Sequence, residues 1–113
     1  MKYVKAPLRV QAPFKKKYGT RFKAGQRVYK IVWCMGIVID DRNAYGCCNY
    51  EERAVYIDIT KRDIQETLIH EMFHAECYEC GMSQVSAFHP DLEELCCEVA
   101  SRVARNFDVR KKR

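Results

Sequence analysis

Acidic residues are missing from the first third of this chain: residues 1–39 hold ten Lys and Arg and no Asp or Glu. An evenly mixed surface charge is therefore excluded. Residues 40–109 carry fifteen acidic and six basic side chains, and the last four, Arg110 to Arg113, are all basic. The formal +5 thus describes an acidic body between two basic ends. Long apolar runs are missing too. The apolar stretch at 31–39 is too short to span a bilayer, and no export leader is recognisable. Histidine is scarce, at three, whereas cysteine is not, at seven. An odd cysteine count without an export context argues for reduced thiols in a cytoplasmic compartment rather than a disulfide framework. What remains is ordinary: 48% hydrophobic residues in 113 positions suit one domain with a modest core.

Residues 1–25 read as a basic, largely extended arm. Pro7 and Pro13 interrupt it, and Lys15, Lys16, Lys17, Gly19 and Gly25 disfavour a helix. From Gln26 the pattern alternates, with Val28, Lys30 and Val32 on one face and Tyr29, Ile31 and Trp33 on the other. A short apolar piece at 37–39 leads into a turn at 40–43, and a weak strand is expected around Gly46. Residues 54–59 alternate again, as a half-buried strand with Val55, Ile57 and Ile59 on one side. The period then changes. Residues 62–80 predict a helix with Thr60 or Asp63 as N-cap, Gly81 beyond its end, and Ile64, Leu68, Met72 and Ala75 as core stripe. After a loop at 82–90, a second helix runs from about 91 to 106, with Leu92, Leu95, Cys96, Val99 and Val103 as its expected buried stripe. Three or four strands followed by two helices is an α+β order. The expected units are the arm at 1–25, a domain at 26–107 and a basic tail at 108–113.

The first helix contains His70, Glu71, Met72, Phe73 and His74, the H-E-x-x-H pattern. Histidines four apart sit one turn apart on one helix face, so both imidazoles can reach one zinc ion. Glu71 is rotated about 100° from His70, beside the metal, where it can act as general base on a water the ion activates. With three histidines in the chain, two at this spacing on a predicted helix is a specific signal.

A site of this kind needs a third protein ligand and an open position. Three candidates stand downstream: His89, Glu93 and Glu94. On the wheel of the second helix Glu93 falls inside the apolar arc, next to Ala100, whereas Glu94 falls outside it with Glu98, Ser101 and Arg105. A carboxylate facing the core needs a partner, and a metal ion is one. Glu93 is therefore the favoured ligand, with Glu94 and His89 left open.

The stretch from Thr67 to Ala75 resembles the active helix of small zincin metallopeptidases. The nearest resemblance is to phage and bacterial gluzincins of the ImmA/IrrE kind, which carry a glutamate ligand on the next helix. Glu93, followed by Cys96 and Ala100, is in comparable phase. SprT-like proteases are the second resemblance. They use a third histidine, which His89 would supply, but they usually place a glycine after it and carry a zinc ribbon. Pro90 follows His89 here, and no second C-x-x-C is present. The resemblance covers residues 54–107. It implies a zinc peptidase acting on a peptide or protein, of phage-like origin and acting in the host cytoplasm, with an edge strand that pairs with extended substrate. Residues 53–59 are the natural candidate for part of that sheet.

Other signals compete. Cys77 and Cys80 form a C-x-x-C, and Cys47–Cys48 and Cys96–Cys97 are adjacent pairs. A second metal site or a redox switch would use them, but buried cysteine is commonly a small hydrophobe. Tyr18, Phe22 and Tyr29 interleave with Arg21, Lys23, Arg27 and Lys30, a mixture suited to stacking on bases while neutralising phosphates. Tyr45, Tyr50 and Tyr78 are alternative oxyanion donors. The expected function is zinc-dependent peptide hydrolysis. The alternative is a zinc-stabilised binding module for nucleic acid or protein, including a phage-encoded antagonist of host defence.

Overall fold

In the computed structural model, residues 8–9, 14–82 and 89–104 are described. The basic tail at 108–113 and most of the first thirteen positions lie outside them. The elements run β1 (Leu8–Arg9), α1 (Phe14–Tyr18), β2 (Arg21–Ala24), β3 (Arg27–Met35), β4 (Val38–Ile39), β5 (Arg42–Asn43), β6 (Gly46–Asn49), β7 (Ala54–Asp58), α2 (Ile64–Glu79) and α3 (Pro90–Ala104). The architecture is α+β: a mixed sheet, a separate β4–β5 ribbon, and two packed helices. Among the described residues no helix is long and apolar enough to cross a membrane.

β3 and β7 run parallel at the centre of the sheet. β6 pairs antiparallel with the far side of β7. β1 and β2 share the other edge of β3, β2 against Arg27 to Lys30 and β1 against Cys34 and Met35, so the sheet is four strands wide. One face carries Tyr29, Ile31, Trp33, Val55 and Ile57 against Leu68 and Ala75 of α2. These are the positions that strand alternation and helical period assign to the core. The opposite face carries Val32, Cys34, Cys47, Ala54 and Tyr56 under Ile37, with Ile39 and Ala44 packed alongside.

That second layer corrects the reading of β7. Every residue of β7 is buried, and the strand lies between β3 and β6. It is an interior strand, not a half-buried edge. Alternation finds the two faces of a strand but not a cover supplied by a distant segment. Asp58, at its end, is buried and fully engaged. Its carboxylate accepts from the Thr60 hydroxyl (2.6 Å), the Thr60 amide (2.9 Å) and the Gly36 amide (3.2 Å). The ends of β3 and β7 are tied together there.

The arm also needs correction. Residues 14–24 form a helical turn and a strand on the folded body, rather than a free extended segment. Phe14 and Tyr18 lie against Trp33, with ring centroids 5.7 and 5.6 Å away, and the indole N–H donates to Gly19 O at 2.9 Å. Tyr29 is buried, and Phe22 packs against it. The aromatics that interleave with basic residues in sequence thus lie in or against the core, while Lys16, Lys17, Arg21, Lys23, Arg27 and Lys30 are exposed, Lys17 with its Nζ 5.3 Å from the Tyr18 ring centroid. Further on, the turn is narrower than expected. Asp40 and Asp41 both take left-handed conformations (φ 51° and 63°) between β4 and β5, as a two-residue hairpin turn demands.

Candidate metal centre

α2 places His70 and His74 one turn apart, with ring centroids 5.0 Å apart and side chains 12% and 13% exposed. Asp63 is the residue before the helix, but its left-handed backbone leaves its side chain without a capping hydrogen bond. At the other end the Tyr29 hydroxyl donates to Glu79 (2.7 Å), anchoring α2 to the sheet.

α3 packs on α2 with an unexpected face. Its buried residues are Glu93, Cys97 and Ser101, at four-residue spacing. Leu92, Leu95, Val99 and Val103 are 44–59% exposed, so the expected apolar stripe faces outward. The reason is chemical: the inward face carries groups that answer the two histidines.

Each imidazole meets two carboxylates. Glu94 bridges the pair, with Oε2 2.9 Å from His70 Nε2 and Oε1 2.9 Å from His74 Nε2. On the opposite sides of the rings, Glu98 lies 3.3 Å from His70 Nδ1 and Glu93 lies 2.6 Å from His74 Nδ1. All four ring nitrogens therefore face carboxylate oxygens. Two neutral imidazoles own only two N–H groups, so two of these contacts would set lone pair against lone pair. Burial holds His70 below its ordinary pKa of 6.5, reinforced by His74 and opposed by Glu94 and Glu98. A divalent cation held by His70, His74 and Glu94 would remove the conflict with both rings neutral. Protonating both rings also removes it, but places two cations side by side.

Of the three candidate third ligands, Glu94 touches both histidines. Glu93 is buried, as its wheel position predicts, and touches the far nitrogen of His74. His89 is 71% exposed at the start of α3, where its Nδ1 accepts the Asp91 amide at 3.1 Å. It belongs to neither group of donors that converge closely enough for a metal.

Those groups are His70, His74 and Cys97, and His70, Glu94 and Glu98, each with donor atoms within 4.8 Å of one another; Glu94 thus converges with His70 and Glu98 rather than with both histidines at once, and Glu93 is in neither group. From sequence alone Cys97, bordering the apolar arc of α3, reads as a small packed hydrophobe. The signal that finds it is its position on α3, one turn after Glu93 and on the same face. The described residues contain no converging group of cysteines alone, so Cys77 and Cys80 have no metal geometry there.

Glu71 is buried and lines a cleft of about 780 Å³ with Tyr45, Gly46, Thr67, His70, Glu94 and Glu98. Gly46, the first residue of β6, sits where no side chain fits. A Cβ there would lie 2.9 Å from both Thr67 Cγ2 and Tyr56 O, and 3.3 Å from Glu71 Cγ. The edge strand thus runs directly against the helix turn that carries the motif. Of the three tyrosines, Tyr45 borders the cleft, while Tyr50 stacks on Tyr78 with centroids 4.2 Å apart. Burial pushes the Tyr50 hydroxyl far up, and the charges of Cys48, Glu93 and Glu71 add to it.

Comparison with family profiles, characterised proteins and solved structures gives no match. The functional reading therefore rests on geometry and chemistry.

Proposed function

We propose that the chain is a zinc-dependent peptidase of minimal zincin design, with His70, His74 and Glu94 as metal ligands and Glu71 as general base. This assigns the third ligand to Glu94, not Glu93. The observation that carries it is the bridge of Glu94 between the two Nε2 atoms, flanked by carboxylates on both Nδ1 atoms. Nitrogen and carboxylate donors of this kind suit zinc. Glu93 and Glu98 accept the Nδ1 protons, which leaves the Nε2 lone pairs directed at the ion. Zinc bound there would lower the pKa of water and polarise a peptide carbonyl.

The chain's own residues divide the remaining work. Glu71, at the cleft wall, takes the proton from the attacking water and returns it to the leaving amine. Among the described strands β6 pairs only with β7, an extended peptide would add along its other edge, and Gly46 brings that strand to Glu71. Tyr45 can donate its hydroxyl to the developing oxyanion.

The test is metal content and hydrolysis together. Purified protein should take up about one zinc per chain, and the double change of His70 and His74 to Ala should abolish uptake. Glu71→Gln should keep the zinc and lose cleavage of an unstructured peptide library. A protein that takes up no zinc refutes the metal site. Undiminished cleavage in Glu71→Gln refutes the assigned base.

A second reading is favoured by the six exposed basic residues of α1, β2 and β3: a zinc-stabilised module that binds nucleic acid through phosphates. It predicts binding to single-stranded oligonucleotides that weakens steeply with salt and is indifferent to Glu71→Gln.

A further inference from the structure

Cys97 is fully buried on the face of α3 that packs against the active helix, beside the two histidines. Its Sγ and one nitrogen from each ring lie within 4.8 Å of one another. In a tetrahedral zinc site, Zn–N near 2.0–2.1 Å and Zn–S near 2.3 Å space the donors by roughly 3.3–3.7 Å. A contraction of at most about 1.5 Å would bring these three donors to that spacing.

Resting on the metal-site reading above, we infer that Cys97 is a further protein donor, through sulfur, to the ion proposed at His70 and His74. Binding converts the thiol to a thiolate and releases one proton to solvent.

The test uses the full chain loaded with cobalt(II) in place of zinc, read by absorption, and with zinc, read by X-ray absorption. The expected result is visible d–d bands of a four-coordinate ion, a sulfur-to-cobalt charge-transfer band in the near ultraviolet, and a sulfur neighbour to zinc at about 2.3 Å. Cys97→Ser should lose the charge-transfer band and keep the d–d bands. The Cys77→Ser, Cys80→Ser double variant should keep both. The zinc measurement on that double variant stands even where Cys97→Ser fails to fold. Bands from a bound ion without any sulfur signal overturn the role of Cys97 and leave the metal site standing. So does a sulfur signal that survives Cys97→Ser. Absence of d–d bands that depend on His70 and His74 overturns the metal site itself, and Cys97 with it.

Discussion

Glu93 and Glu94 are neighbours in the chain and serve opposite nitrogens of one imidazole. Glu93 is buried and meets His74 Nδ1, while the half-exposed Glu94 meets Nε2 of both histidines. Removing an outer carboxylate typically weakens metal binding by about 10–100-fold, and removing a ligand weakens it further. Glu94→Ala should therefore lose more zinc affinity than Glu93→Ala in a competition titration against a chromophoric chelator. The reverse ranking would return Glu93 to the ligand position. The helical wheel found that Glu93 turns inward, and that much was legible in the sequence. A wheel resolves faces of a helix, but not which nitrogen of a ring on another helix a carboxylate meets. Gly46 makes a second prediction. A methyl group there meets the Tyr56 carbonyl and the Thr67 side chain at 2.9 Å, and backbone gives way poorly. Gly46→Ala should destabilise the protein by about 1–3 kcal/mol in urea unfolding and reduce any Glu71-dependent cleavage. An unchanged unfolding midpoint would mean that β6 shifts freely.

β3, β7 and α2 were readable as elements because each repeats at its own period over enough residues, although alternation did not show that both faces of β7 are covered. α1 was not. Phe14, Lys15, Lys16, Lys17 and Tyr18 contain two apolar residues and no second turn, so only Trp33 beneath them makes the segment helical. α3 was readable as a helix but inverted, because its stripe of Leu92, Leu95, Val99 and Val103 is periodic yet faces away from α2. The junction of β3 and β7 supplies a prediction of its own. Burial raises the Asp58 pKa, but the Thr60 hydroxyl, the Thr60 and Gly36 amides and Lys61 outweigh it and leave it below the ordinary 3.8. A depressed folded pKa means that the contribution is full above the unfolded value and is lost as pH falls through the folded one. Asp58→Asn should thus cost about 1.5–3 kcal/mol at neutral pH, and its deficit against the wild type should shrink below about pH 4. A deficit independent of pH would show that packing, not charge, holds this junction.

Charge is unevenly distributed across the folded body. Six exposed basic residues lie on α1, β2 and β3, whereas the cleft wall gathers Glu71, Glu94 and Glu98 beside Arg102. The inversion of α3 determines how the molecule comes apart. An ordinary amphipathic helix is held by apolar area removed from water, but α3 buries Glu93, Cys97 and Ser101 and leaves its leucines and valines outside. Its attachment then depends on the polar donors it shares with α2 and on whatever cation joins them. In the language of cooperative unfolding units, α3 would be the first foldon to open, and an ion bound at the proposed site would be the latch whose loss lowers its opening free energy without touching the sheet. Hydrogen exchange before and after chelation should therefore show protection lost across residues 90–104 while the amides of β3 and β7 stay slow. Uniform loss throughout the chain would mean that sheet and helices form one unit.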